Sequence, residues 1–281
     1  MKVLVTGGAG FVGTNLIKRL LKDGHDVVSL DNYSAGKKEN HQDGCLYYDY
    51  DLSYNYVRDD GDRYDVIFHL AALARIQPSI KNPYKTIYNN FTSTLNILEY
   101  ARENGIRFVY AGSSSFHHGL YESPYAWSKF SGEDLCKLYS NVYNLDTAIC
   151  RFYNVYGPHQ VEDGTWATVI GIFEKQYREG QSLTIVGDGE QRRDFTHIDD
   201  IVDGLIKCSE QPFGAEIFEL GSGKNYSINE VADMFDKYYI REYIPTRKGE
   251  YDVTLADYSL AKDVLDWKPT KDLSDYINSI N

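Results

Sequence analysis

The run Gly7-Gly8-Ala9-Gly10-Phe11-Val12-Gly13 follows the β-branched segment Val3-Leu4-Val5 at once and opens the amphipathic stretch Asn15 to Leu21. A glycine-rich turn between a strand and a helix lets the backbone bend sharply and pass close to its surroundings. It also presents the free N–H groups of a helix start with the positive end of the helix dipole. The alternation then repeats through Val27 to Leu30, Val66-Ile67-Phe68, the amphipathic Thr94 to Arg102, Phe108-Val109-Tyr110, a helix from about Tyr125 to Val142 and a strand at Thr147 to Cys150. Such a pattern predicts an α/β fold with a doubly wound parallel sheet. After Gly157-Pro158 the pattern loosens, with turns at Glu162-Asp163-Gly164 and Gly187-Asp188-Gly189, before Asp199 to Cys208 and Ile217 to Leu220 again read as helix and strand.

Asp31 lies 18 residues past Gly13 and ends the second strand. A carboxylate there accepts hydrogen bonds from ribose hydroxyls and repels a 2′-phosphate. Strand, turn, helix and acid together form a Rossmann-type dinucleotide fingerprint and favour NAD over NADP. For the glycines alone, a tight structural turn is the plainer alternative. Farther on, Tyr125 and Lys129 stand four residues apart in Ser123-Pro124-Tyr125-Ala126-Trp127-Ser128-Lys129. That spacing shares a helix face, so the ammonium can sit beside the phenol and favour its ionised form. A free phenol, with a pKa of about 10, is a poor base. One cation about 4 Å away at an effective dielectric of roughly 20 offers on the order of 4 kcal/mol, which would bring the phenol near neutrality. The pair suggests hydride chemistry.

A chain of 281 residues with 42% hydrophobic content has ample material for a core. Its net charge of −12 argues against a nucleic-acid partner, so any anion must be met by local cations. No apolar run reaches membrane-spanning length, and the first strand begins at Lys2 with no room for a cleaved signal, so a cytoplasmic protein is expected. Cys45, Cys136, Cys150 and Cys208 lie far apart, without Cys-x-x-Cys spacing, and read as reduced structural thiols.

Further blocks accompany these motifs: His69-Leu70-Ala71-Ala72, Ser113-Ser114-Ser115, Arg151 to Pro158, and Gly187 to Phe195. Together they resemble the extended short-chain dehydrogenase/reductase family, in its nucleotide-sugar epimerase branch, over nearly the whole chain. The resemblance implies NAD as cofactor and a nucleotide sugar, probed at carbon 4, as substrate. It implies a Rossmann domain of residues 1–157 with 194–222 and a smaller nucleotide-sugar-binding α/β portion of 158–193 with 223–281. Cofactor contacts fall on Gly7, Gly10, Phe11, Val12, Gly13, Asp31 and Asn32, with Asp51 and Leu52 at the adenine and Asp49 as a rival. Leu70, Ala71, Ala72 and Ala74 should line the cofactor, with Asn90 and Tyr153 close by; for the apolar residues, core packing is the alternative. Asn154, Arg193 and Arg247 match phosphate-binding positions, and arginine offers a rigid fork for a diphosphate. A surface ion pair is the alternative for each arginine alone.

The resemblance makes Tyr125 the base toward the carbon-4 hydroxyl, with Lys129 depressing its pKa and holding the nicotinamide ribose. Ser114, five residues before Gly119, should bond the same sugar oxygen. Ser115 replaces it if the alignment slips by one, and strand-end capping is the plain alternative. Thr254, seven residues after Arg247, falls where bulk beside carbon 2 is limited, so N-acetylated hexoses fit as well as plain ones, unless it is simply a hydroxyl on a sheet. A homodimer is expected through Pro83 to Arg102 and Pro124 to Val142, where Leu95, Leu98, Leu135 and Leu138 supply an apolar stripe or face the sheet.

The chain departs from its relatives at His117-His118, where they carry Val-Tyr, and in the short segment 120–124, which implies a more open site. His159 stands where they carry Arg. No metal is expected, because adjacent side chains on an extended segment point apart and no third ligand accompanies the histidines. Ser115 and Phe116 occupy positions that are Asp and Glu in related dehydratases, which disfavours dehydration. The competing readings are a nucleotide-sugar reductase or oxidative decarboxylase, and a non-catalytic NAD or sugar-nucleotide sensor.

Overall fold

A computed structural model describes residues 1–57, 63–117, 119–249 and 251–280. Seven parallel strands form its central sheet. β1 (Lys2–Thr6) pairs with both β2 (Asp26–Asp31) and β4 (Val66–His69); β3 (Cys45–Asp49) lies outside β2. On the other side, β5 (Arg107–Ser113), β6 (Thr147–Phe152) and the strand Glu216–Leu220 follow β4 in turn. The chain winds outward one way and, from β4, the other, which opens a crevice beyond the carboxyl ends of β1 and β4. This is the doubly wound sheet that the alternation predicts.

The helices are α1 (Phe11–Lys22), α2 (Ile76–Lys81), α3 (Pro83–Asn104), α4 (Pro124–Tyr143), α5 (Val169–Arg178) and α6 (Ile198–Glu210), followed by shorter ones. Because strand side chains alternate, the sheet feeds two cores. Val3, Val5, Phe68, Val109 and Cys150 face α1 and α6, whereas Leu4, Ile67, Phe108, Tyr110 and Ile149 face α3 and α4. A third cluster, built around Phe173, Ile185, Val231, Phe235 and Ile277, belongs to the later part of the chain. The C-terminal region also reaches back: Ala261, Leu265 and Trp267 join the first core, and the Trp267 indole donates to the Asp200 carbonyl at 2.9 Å.

The helix that carries Tyr125 is fixed at both ends. Ser123 caps α4 by accepting the Ala126 N–H at 3.1 Å, Pro124 fills the first position, and Asn144 closes it with φ +55°. Midway, Gly132 allows α4 to approach β5, since a Cβ there would lie 2.1 Å from the Tyr110 hydroxyl.

Candidate active site

A cavity of about 650 Å³ opens at the switch point, lined by the Gly7–Gly13 turn, the ends of β2, β4 and β5, and residues from the later part of the chain. Gly7 holds φ +72°, and a Cβ there would meet the Ala71 backbone nitrogen at 2.8 Å; at Gly13 a Cβ would lie 2.3 Å from the Gly7 carbonyl oxygen. α1 begins at Gly10 without a side-chain cap or an acid in its first turn, leaving N–H groups available to an anion. The buried Asp31 carboxylate accepts the N–H groups of Ala9 at 2.9 Å and Tyr33 at 2.8 Å. Burial pushes its pKa up, and those two bonds oppose the rise. Lone pairs remain for ribose hydroxyls, so the donor and acceptor set suits a dinucleotide.

Asn32, Asp51, Leu52, Leu70, Ala71, Ala72 and Ala74 all line the same cavity. Asp51, which accepts from Ser53 at 2.6 Å and from Asn32 at 2.9 Å, lies on it, while Asp49 is exposed on the edge strand and does not. Burial raises the Asp51 pKa, but the bonds from Ser53 and Asn32 outweigh it and the net shift is downward. Asn90 also lines the cavity, yet its amide is engaged in bracing the fold. It accepts from the Leu73 N–H at 2.8 Å and donates to the Leu73 carbonyl and to Ser128 Oγ at 2.9 Å.

Tyr125 reaches the cavity from the first turn of α4, and its hydroxyl donates to Ser113 Oγ at 3.4 Å. Ser113 in turn accepts from Ser115 Oγ at 2.9 Å. Ser114, expected to bond the sugar oxygen, lines the cavity, as do Ser113 and Ser115. β5 ends at Ser113, and the single 3-10 turn Ser114–Phe116 that follows is capped by the Ser113 hydroxyl, which accepts the Ser115 N–H at 3.2 Å.

Lys129 also differs from expectation. It is 5% exposed, does not line the cavity, and holds Nζ 4.3 Å from the Tyr110 ring centroid. Burial lowers its pKa to about 8, against the opposing charge of Glu133. For Tyr125, burial raises the pKa, while the Ser113 bond and the Arg75 charge pull it down. Lys129 thus shares a helix face with Tyr125 while its ammonium lies over a ring of β5.

A second correction concerns Tyr153. Its ring is fully buried off the cavity and its hydroxyl donates to Glu219 at 2.8 Å, while Phe152 takes the cavity wall. Asn154, Arg193, Arg247 and Thr254 do converge on the cavity. Arg247 is exposed at its rim and forms no ion pair with any described residue. Arg193 is buried and donates to the Arg192 carbonyl at 3.0 Å. Thr254 Oγ accepts from the Asp194 N–H at 3.0 Å and from Asn154 Nδ2 at 3.2 Å, a bracing role alongside its place in the wall.

Among the described residues no cluster of acids, histidines and cysteines could hold a metal. His118 lies outside the described residues. His117 pairs with Glu219, and His69 is locked between Thr6 at 2.7 Å and Thr94 at 3.0 Å.

A turn for a dinucleotide, a tyrosine at a helix start and arginines at one cavity narrow the choice, and sequence comparison decides it: a model of the NAD dependent epimerase/dehydratase family matches residues 3–221. The chain belongs to this family. It is 36% identical to a UDP-glucuronate 4-epimerase of Thermodesulfobacterium geofontis over 95% of this chain and 90% of that protein. To a UDP-glucose 4-epimerase of Mycolicibacterium smegmatis it is 32% identical, over 99% and 96% respectively. The fold superposes on the crystal structure of the Thermotoga maritima UDP-glucose 4-epimerase with UDP-glucose at a TM-score of 0.93 and 30% identity, covering 99% of this chain and 96% of that one.

Within this family fold, sequence reasoning missed Ser113, Phe152 and Arg75. Arg75, a cation directly after the apolar run Leu70 to Ala74, carried a signal in its isolation.

Proposed function

We propose that the chain is an NAD-dependent nucleotide-sugar 4-epimerase acting on a UDP-hexose or UDP-N-acetylhexosamine. The observation that carries this reading is the meeting, in one cavity, of the Gly7–Gly13 turn with Asp31, the Tyr125–Ser113 hydroxyl pair, and Arg193 with Arg247. Bound NAD supplies a hydride acceptor that later returns the hydride. Tyr125 takes the proton of the carbon-4 hydroxyl as that carbon is oxidised, and gives it back when the 4-keto sugar is reduced on its other face. Ser114 bonds the reacting oxygen, and Ser113 holds Tyr125 in line. Asn154, Arg193 and Arg247 anchor the diphosphate while the sugar turns about it. Proton and hydride both return to the sugar, so the reaction is an inversion without net redox.

Lys129 serves the ribose side from behind Tyr125. The protein acts as a homodimer through α3 and α4, for which exposed Tyr84, Trp127, Leu138 and Val142 offer apolar surface; Leu98 faces the sheet instead. No helix among the described residues is long and apolar enough to cross a membrane. Four free thiols suit a reducing, cytoplasmic setting.

Incubation of the purified protein with a panel of UDP-hexoses and UDP-N-acetylhexosamines, with epimers resolved by chromatography, tests the reading. Interconversion at carbon 4 without accumulating reduced cofactor is the expected result. Net consumption of added reduced cofactor would instead establish a reductase, and loss of carbon dioxide from an added UDP-hexuronate a decarboxylase.

A further inference from the structure

Among the groups read as diphosphate anchors, Arg193 and Asn154 each donate to a backbone carbonyl of a neighbouring strand residue. Arg247 has no such brace: it is exposed at the cavity rim and forms no hydrogen bond or ion pair with any described residue. Its segment, Pro245 to Gly249, follows the strand Arg241–Ile244 and belongs to no helix or strand. Among the described residues one hydrogen bond joins this segment to the rest of the chain, from Gln77 Nε2 to the Lys248 carbonyl at 2.7 Å. An arginine in water has many rotamers to lose on binding, so its worth as an anchor depends on how firmly its backbone is aimed.

The donor stands on α2, and that helix is a firm seat. Buried Ser79 donates to the Ile76 carbonyl at 2.6 Å, and the Asn82 N–H closes the last turn on the Pro78 carbonyl at 2.9 Å. Gly249, at φ +79°, lays the Arg247 segment directly on α2: a Cβ there would lie 3.0 Å from Ile76 Cγ2 and 3.3 Å from Ile80 Cδ1. Glycine takes that conformation without strain. Immediately before α2, Arg75 Nε and Nη2 donate to the Trp166 carbonyl at 3.0 and 2.6 Å. Residues 75–80 therefore grip two separate segments of the later part of the chain, and Arg75, Gln77, Trp166 and Arg247 all line the one cavity.

We propose that Gln77 is the positioning residue for Arg247: by holding the Lys248 carbonyl on α2, it fixes the backbone from which the guanidinium reaches a diphosphate. The proposal rests on the nucleotide-sugar reading of the site and adds to it a residue that acts through another. A bond that merely tied α2 to its neighbour would matter equally to every ligand of the cavity. A bond that aims Arg247 matters only to ligands that carry phosphate, and only while the guanidinium is present.

Gln77→Met keeps the length of the side chain and removes the donor. The NAD-loaded wild type, Gln77→Met, Arg247→Met and the double variant are titrated with UDP and with uridine, and their kinetics are measured with a UDP-hexose. Gln77→Met should weaken UDP binding about fivefold, the scale of one lost hydrogen bond, and leave uridine binding unchanged. KM should rise by a similar factor while kcat holds. In the Arg247→Met background, adding Gln77→Met should change UDP affinity little, because no guanidinium remains to be aimed. Unchanged UDP affinity in Gln77→Met would overturn the proposal. So would an equal loss for UDP and uridine, or the same loss with and without Arg247. If Gln77→Met fails to fold, Gln77→Asn, one methylene shorter, is read by the same comparisons. UDP binding needs no turnover, so a protein that binds UDP without interconverting hexoses fails the epimerase reading and still decides the role of Gln77.

Discussion

Tyr125→Phe removes the hydroxyl that we propose accepts the carbon-4 proton but keeps the ring at the start of α4. Epimerisation should fall by about 10²–10⁴-fold, while calorimetric titration with NAD shows cofactor binding retained. The glycines of the turn make a complementary case. At Gly13 an added Cβ lies 2.3 Å from the Gly7 carbonyl, backbone that cannot step aside. Gly13→Ala should therefore lose NAD binding in the same titration, before any effect on substrate affinity. Spacing in the sequence was enough to place Tyr125 at a helix start and the glycines in the strand-to-helix turn, because each placement follows from local geometry. Ser113 and the direction of Lys129 were not legible, because they depend on what β5 presents to α4 from elsewhere in the chain.

At the scale of elements, α4 depends on its first turn. Ser123→Ala deletes a cap that is 4% exposed, which should cost about 1 kcal/mol in urea unfolding and lower kcat by loosening the turn that aims Tyr125. The contact of α4 with the sheet contains a buried pair, Glu133 with Arg151 at 2.7 Å, at 1% and 5% side-chain exposure. Arg151→Met strands the Glu133 carboxylate and should cost about 3–5 kcal/mol by denaturant unfolding, with little dependence on salt because the pair is shielded from solvent. Strand and helix identities followed from periodicity along the chain. The pairing of Glu133 with Arg151 did not, since the partners are 18 residues apart and meet only when α4 packs on β6.

For the molecule as a whole, His69 stitches β4 to β1 through Thr6 and to α3 through Thr94. Burial, with the nearby Lys129 charge, lowers its pKa from 6.5 to about 3. Unfolded chains bind the proton below 6.5 and the folded protein only near 3, so protons favour unfolding across that window. Stability measured by urea unfolding should fall as pH drops from 6.5 toward 3, and His69→Gln should show a shallower fall. The sequence by itself determined the doubly wound sheet, the dinucleotide turn, Asp31 and the Tyr125 helix, because each is written in residues that are neighbours along the chain or recur at the period of a strand or helix. Only the tertiary structure decided that Ser113 faces Tyr125, that Tyr153 is buried away from the cavity, and that Arg75 lines the cavity wall while Lys129 turns to Tyr110. Those outcomes depend on the directions of side chains from separate elements, which are set when the elements pack and bury their charges together.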